Sequence, residues 1–221
     1  MAYTLSERSF ALNWFVNRKI RRLQREIMGE SGNEAAARAQ MARLRRLITG
    51  ETPSLLTLGD LVLSDWPIDE LGDPAGSSRE LRAACVALGA YAVLQQGKGY
   101  GVAVFSENDT ERRANSFGRA CWQIQPDQSL AAGVMRRLAS IEGSSDFSGV
   151  ISGVRSLLGL MKSARTDDGA NRMIRLDFGL LAADLYEMQG PAYQRERAIS
   201  RWGSAYFVPV SHGSKQDEDN E

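Results

Sequence analysis

The stretch "NRKIRRLQREI" (residues 17–27) places five basic side chains in nine positions near the start of the chain. At 100° per residue of an α-helix, four arginines fall in one narrow stripe: Arg18, Arg21, Arg22 and Arg25. Apolar side chains from Leu12 to Ile27 fall on the opposite side, which predicts an amphipathic helix with a cationic outer face. Such a face suits a polyanion, and a merely solvated face that uses arginine is the alternative interpretation.

Residues that usually carry catalysis are scarce. The one histidine, His212, lies in the polar C-terminal segment, so His-based acid–base chemistry or a His-rich metal site is not expected in a folded pocket. Asp167 and Asp168 fit a turn before a helix better than a catalytic pair. "GKGYG" lacks the Gly-Lys-Ser/Thr ending of a phosphate loop, and "SFGRA" lacks the GxSxG elbow of hydrolases. We predict a protein that is not an enzyme and uses no metal or cofactor; an enzyme acting through Asp and Arg alone is the weaker alternative.

Charge is strongly segregated along the chain, although the 27 Lys+Arg balance the 27 Asp+Glu. Residues 8–46 hold 10 basic and 3 acidic side chains, whereas residues 51–109 hold 3 basic and 9 acidic ones. This segregation indicates a basic surface directed at a polyanion. The alternative is that the acidic segment folds against the basic one.

Other features indicate an ordinary globular protein. No run of about 18 apolar residues exists, so no membrane span is expected. Cys85 and Cys121 fall inside apolar helical patterns, and we interpret them as reduced core residues of a cytoplasmic protein.

Hydrophobic periodicity predicts an all-α fold. The expected helices are 5–28, 33–49, 54–63, 78–96, 129–141, 146–163, 172–188 and 191–207. Helical pattern also covers "ERRANSFGRACWQI" up to Pro126. The glycine-rich segment 97–113 is expected to be a flexible loop or to hold a short strand near 102–105.

We predict two small helical domains. The N-terminal domain (1–125) contains the basic first helices, and the C-terminal domain (126–208) is expected to be an antiparallel four-helix bundle because its helices are joined by short connections. The acidic tail 209–221 is expected to be disordered.

Six short motifs, in order along the chain, resemble one known family. They are "MARLRR" (41–46), "SFGRAC" (116–121), "VMRRLA" (134–139), "GVRSLLGLM" (153–161), "RLDFGLLAADLYEM" (175–188) and "RAISRWGSAYF" (197–207). Together with the helical pattern, they resemble the CasB-type small subunit of the type I-E CRISPR surveillance complex, Cascade, over residues 8–207.

The resemblance implies a non-enzymatic scaffold that works in antiviral defence. Its implied partners are the backbone and large subunits of Cascade, a second copy of itself, the guide RNA and the target DNA. Such a subunit helps to hold the heteroduplex and the displaced strand while an R-loop is open, and a row of Arg and Lys can follow a strand without reading its sequence. A helical protein–protein adaptor with no direct nucleic-acid contact is the alternative.

Ten arginines are the candidate nucleic-acid-binding residues, and we expect them to converge into a continuous cationic track. Motif matching nominates Arg45, Arg46, Arg119, Arg136, Arg137 and Arg155, and the charge stripe adds Arg18, Arg21, Arg22 and Arg25. Alternatives remain for several of them. Arg45 and Arg46 can pair with the acidic segment 60–73, Arg119 can be a structural ion-pair donor, and the stem of Arg155 can cover the core. The four tryptophans are expected to pack in the core rather than stack on bases.

Overall fold

A computed structural model describes residues 5–30, 33–49, 54–76 and 78–208. These residues form helices and two isolated β-bridges, with no strand or sheet, so the predicted all-α class is confirmed. The α-helices, numbered in chain order, are α1 (Glu7–Ile27), α2 (Glu34–Leu44), α3 (Leu55–Leu63), α4 (Ile68–Leu71), α5 (Ser78–Gln95), α6 (Asp109–Ala114), α7 (Phe117–Ile124), α8 (Ala132–Glu142), α9 (Phe147–Ser163), α10 (Phe178–Met188) and α11 (Ala192–Phe207). Two 3₁₀ helices cover Arg45–Thr49 and Gln128–Leu130.

Two helices, α5 and α10, form the centre of the fold. Both are apolar almost all round and nearly every residue of each is buried, which is the pattern of a helix enclosed by others. The amphipathic α1 packs its apolar face mainly on α10 and also on α5, so its arginine stripe is turned outwards. Helix α9 packs on α5 and α8, and α11 packs on α7 and α10.

The predicted four-helix bundle is not confirmed. Helix α10 makes its largest contacts with α1 and α5, whereas α8 and α9 pair with each other and α9 also packs on α5. Short connections indicated antiparallel neighbours, but the enclosed character of α10 places it among N-terminal helices. The hydrophobic core is continuous across residue 126, and the division there into two domains stays a prediction.

The predicted helix 172–188 is wrong in its first six residues. Residues 172–177 are not helical, and Leu176 forms a parallel bridge with Ala103. Helix α10 begins only at Phe178, because the Asp177 side chain caps it by accepting a hydrogen bond from the backbone N–H of Leu180 at 3.1 Å. The same bridge gives the glycine-rich segment a fixed partner at 102–104, where the Val104 N–H donates to the Leu176 carbonyl.

Other helix boundaries differ locally from the predictions. The predicted helix 33–49 ends as α-helix at Leu44 and continues as 3₁₀ helix, and Gly59 interrupts α3 with φ +43. Ser116 separates α6 from α7 by capping α7. The predicted caps differ too: Asp146 caps α9 as expected, whereas Asn33 makes no side-chain cap on α2. The acidic tail 209–221 and His212 lie outside the described residues.

Candidate nucleic-acid interface

The outer face of α1 forms one wall of a groove that α2 and α3 complete. This α1–α3 groove has a volume of about 630 Å³. Its cationic lining consists of Arg18, Lys19, Arg21, Arg22 and Arg25 from α1 and Arg43 from α2. The structure therefore brings the predicted stripe of four arginines into one concave surface, with two further cations beside it.

Two carboxylates, Asp60 and Asp65, lie on the α3 side of the same groove. Arg18 Nη2 donates to the Asp65 backbone carbonyl at 2.9 Å and lies 3.9 Å from Asp65 Oδ2. Exposed pairs of this kind contribute roughly 0–1 kcal/mol. Six cations against these two carboxylates and Glu26, which pairs with Arg22, leave the groove positive at neutral pH.

Lys19 is the most enclosed cation of the α1–α3 groove. Its Nζ donates to Ser64 Oγ at 2.8 Å and lies 5.3 Å from the centre of the Phe15 ring. Burial lowers the pKa of Lys19 to about 8, and the neighbouring charges of Arg18 and Arg22 act in the same direction. Lys19 therefore loses part of its charge slightly above neutral pH.

The other groove arginines are held in different ways. Arg21 stacks over the Phe105 ring at 4.4 Å, and Arg22 Nε lies 3.2 Å from Glu26 Oε1 on the same helix. No carboxylate of the described residues forms an ion pair with Arg25 or Arg43. These two guanidiniums are available to an anion without breaking any such contact.

Arg45 lines a separate groove of about 530 Å³ between α2 and the end of α5. Within the described residues, neither Arg45 nor Arg46 forms an ion pair with the acidic segment 60–73, whose Asp65 pairs with Arg18 instead. Lys98 also lines this groove. Burial lowers the pKa of Lys98, and the nearby charges of Arg165 and Lys162 lower it further.

Arg119 projects from α7 beside an aromatic side chain. Its guanidinium lies 3.7 Å from the centre of the Trp122 ring, and burial lowers the pKa of Arg119. It forms no ion pair in the described part of the chain, so the expected alternative of a structural ion-pair donor is not what the structure has. A cation–π contact of this type holds the guanidinium while leaving its charge unneutralised.

The three remaining candidates lie on α8 and α9. Arg137 ties the two helices together, since its Nε donates to Ser156 Oγ at 2.6 Å and its Nη1 to the Gly133 carbonyl at 2.7 Å. Arg136 and Arg155 are exposed, and the alternative that the stem of Arg155 covers the core stays open. None of these three arginines lines the α1–α3 groove, and their union with it into one track stays a prediction.

Some contributors to these basic surfaces were not among the ten candidates. Arg43 and Lys19 complete the α1–α3 groove, and Lys98, Lys162 and Arg165 surround the end of α5. Lys19 stands inside the quoted basic stretch, so that composition could have indicated it. Only the tertiary arrangement brings Arg43 beside α1.

The aromatic and sulfur-containing side chains mostly serve the core. Trp202 is buried against Phe117 with 4.5 Å between ring centres, and Trp66 packs edge-on against Phe15. The expectation of core packing is wrong for Trp14, which is 50% exposed. Cys85 and Cys121 are free and buried, as predicted.

Neither a metal-binding cluster nor a membrane-spanning helix is found among the described residues. No group of three or more His, Cys, Asp or Glu side chains there is placed to hold a metal ion. No helix in the same part of the chain is long and apolar enough to cross a membrane.

Comparisons with known proteins agree with the arrangement of helices. The family model for CRISPR-associated protein Cse2 matches residues 40–207. The crystal structure of CasB from Thermobifida fusca superposes with a TM-score of 0.63 at 22% sequence identity, covering 92% of this chain and 99% of that one. No curated protein matches the sequence. At this identity the structural match establishes the fold.

Proposed function

The chain belongs to the Cse2 family of CRISPR-associated proteins, which confirms the resemblance to the CasB-type small subunit of Cascade, and on that premise we propose that it stabilises the R-loop through backbone contacts to nucleic acid. In this proposal the protein is a non-catalytic subunit in antiviral defence. It holds the displaced strand and the backbone of the heteroduplex, and it bridges the other subunits of the complex.

The observation that carries the proposal is the α1–α3 groove. A single strand has one negative charge per nucleotide, and each phosphate that a Lys or Arg neutralises releases bound counterions. Arg25 and Arg43 form no ion pair with a carboxylate of the described residues, so binding a phosphate costs them no such contact. R-loop exchange is nearly balanced in base-pairing energy, so a few backbone contacts are enough to favour the open state.

The groove can act without reading sequence. Four arginines of α1 and one of α2 line it, and their guanidiniums suit phosphate oxygens. The exposed arginines of α8 and α9, and Arg45 and Arg46, would extend contact with the heteroduplex backbone beyond the groove. Within this proposal, no step requires a bond to be made or broken.

A test uses the isolated full-length chain and fluorescein-labelled single-stranded DNA of mixed sequence. Replacing Arg21, Arg22, Arg25 and Arg43 with Ala should weaken binding by at least about tenfold near 0.1 M salt and reduce the salt slope by about 3, at about 0.7 per contact. Arg175→Ala, at an exposed arginine outside the groove, is the control and should bind as the parent does. Equal binding by the quadruple variant would contradict the assignment to the groove.

The adaptor alternative rests on Asp60 and Asp65, whose carboxylates partly balance the groove and show that acidic side chains fit there. An adaptor of this kind would bind no naked single-stranded DNA at any salt concentration. Absence of binding by the parent chain in the same titration would favour it.

A further inference from the structure

The N-terminal half of α1 carries a second groove whose character is opposite to that of the α1–α3 groove. This Phe10 groove has a volume of about 810 Å³, and the apolar part of its lining consists of Leu5, Phe10, Ala11, Trp14 and Pro67. None of the arginines proposed to bind nucleic acid lines this groove.

Two large aromatic side chains in this groove are open to solvent. Phe10 is 52% exposed and Trp14 is 50% exposed, and their spacing of four residues puts them side by side on α1. Ile68, next to Pro67 in the chain, is 62% exposed. Contiguous exposed apolar surface of this kind is characteristic of a protein interaction site, where Trp and other aromatics contribute most of the binding energy.

The charged part of the lining of the Phe10 groove is mainly acidic. Three carboxylates line it, from Glu7, Glu70 and Asp109, against one guanidinium, Arg112. Arg112 Nη1 lies 3.0 Å from Asp109 Oδ1, so this cation is already paired. The remaining negative charge repels phosphates and favours a cationic ligand.

We propose that the Phe10 groove docks a protein segment of another subunit, in which an apolar side chain is flanked by Lys or Arg. The apolar side chain would lie on Phe10 and Trp14, and the flanking cations would face Glu7 and Glu70. The inference rests on the proposed role as a subunit of the complex and adds the surface and the kind of partner.

The two grooves meet at one side chain. Trp14 lines the Phe10 groove, while the Arg18 guanidinium of the α1–α3 groove lies 4.5 Å from the centre of the Trp14 ring. Helix α1 is thereby divided between a protein-binding N-terminal half and a cationic C-terminal half. A strand in one groove and a protein segment in the other would lie end to end along one rigid helix.

The test uses the double variant Phe10→Ser/Glu70→Lys, which changes two exposed side chains and leaves Trp14 and Arg18 in place. The chain is co-expressed with the other Cascade subunits and a guide RNA, and the complex is purified through a tag on a different subunit. We expect the amount of the double variant in the complex to fall by about tenfold or more. The matched control, Tyr193→Ser/Glu142→Lys, changes an exposed aromatic and an exposed carboxylate elsewhere and should enter normally.

A photo-crosslinking residue at position 10 of the parent chain identifies what occupies the groove. We expect a crosslinked peptide from another subunit with Lys or Arg beside the crosslinked apolar residue. Crosslinks only to nucleic acid, or only to a second copy of this chain, would overturn the inference, as would normal entry of the double variant. If the parent chain itself fails to enter the complex, the proposed function fails too. If the parent and the double variant enter the complex equally well, only the inference about the Phe10 groove is overturned.

Discussion

Arg201 of α11 and Arg25 of α1 carry the same guanidinium into opposite surroundings. Arg201 is 6% exposed, and its Nη2 lies 2.8 Å from Glu187 Oε2 while its Nε donates to Asp184 Oδ1 at 3.0 Å. Arg25 is exposed on the α1–α3 groove and forms no ion pair with a carboxylate of the described residues. The nearby carboxylates therefore distinguish an arginine that holds the fold from one that can hold a ligand.

The buried site around Arg201 is a network that joins three helices. Glu187 of α10 also accepts from Arg197 of α11 at 2.8 Å and from Ser9 of α1 at 3.1 Å. The Trp202 indole N–H donates to Asp184 Oδ2 at 2.7 Å. The closing motif "RAISRWGSAYF" is thus a packing motif, and its arginines are not candidates for binding DNA.

Replacing Arg201 with Ala should produce the largest loss of stability. The change removes the buried arginine that pairs with Asp184 and one of the two arginines that pair with Glu187, and breaking a buried pair in this way costs about 3–5 kcal/mol. Urea unfolding followed by circular dichroism measures the loss. The contrast between Arg201 and Arg25 would be contradicted if Arg201→Ala lowered the free energy of unfolding by less than about 1 kcal/mol, or by as little as Arg25→Ala does.

Gly118→Ala should have the next largest effect, because it disturbs the helix pair on which Trp202 depends. A Cβ at Gly118 would clash with the Trp202 carbonyl oxygen, so α7 and α11 would have to separate. Overpacking of this kind typically costs about 1–3 kcal/mol. Gly203→Ala on α11 is the matched control, since nothing lies within 4 Å of its added Cβ and the helix should gain about 0.5–1 kcal/mol. Similar unfolding curves for both variants would contradict the close approach of α7 and α11.

The pH dependence of DNA binding should sharpen the comparison at Lys19. Its pKa is lowered from 10.5 to about 8, so between pH 7 and 9 the amine loses its proton and the groove loses one charge. Binding to single-stranded DNA should therefore weaken by up to about fivefold as the pH rises, equivalent to one phosphate contact near 0.1 M salt.

Lys19→Met provides the control, because the variant lacks the titrating amine. It should bind DNA weakly at both pH values and lack this part of the decline in affinity. An undiminished decline in Lys19→Met would assign it to another group. Rising pH should have the opposite effect on stability, because the folded chain binds fewer protons at Lys19 than the unfolded chain. The contribution of Lys19 to the free energy of unfolding therefore rises between about pH 8 and 10.5.

The smallest effects on stability are expected in the groove itself. Arg25→Ala and Arg43→Ala remove exposed cations that form no ion pair in the described part of the chain, and each should change the free energy of unfolding by no more than about 0.5 kcal/mol. Relief of repulsion between like charges acts in the stabilising direction and keeps this change small. Thermal unfolding of the single and double variants measures this, and a loss above about 1 kcal/mol would mean that these arginines hold the fold.

Helices with one apolar face could be predicted from the sequence. The spacing of apolar residues from Val150 to Met161 defines α9, and the stripe opposite Arg21 defines α1. The prediction failed where the period changes from helix to extended chain: Ile174 and Leu176 are buried on either side of exposed Arg175. It also failed to place α10, because a helix buried on every side gives no direction for its neighbours.

The candidate site was predictable only as far as one helix extends. The α1 stripe follows from helical geometry alone, but its alignment with Arg43 depends on where α2 lies. The "SFGRA" motif shows the same limit. Ser116 caps α7 and Gly118 allows α11 to approach, so two of its positions have structural roles, whereas the contact of Arg119 with Trp122 is local.

R-loop formation by the assembled complex, titrated with salt, tests the central claim most directly. The measurement compares a complex containing the parent chain with one containing the variant in which Arg21, Arg22, Arg25 and Arg43 are replaced by Ala, on one matched target at several salt concentrations. We predict that the variant complex assembles normally, opens the target more weakly and shows a shallower dependence on salt. Equal R-loop formation and an equal salt slope would contradict the claim that this groove holds nucleic acid.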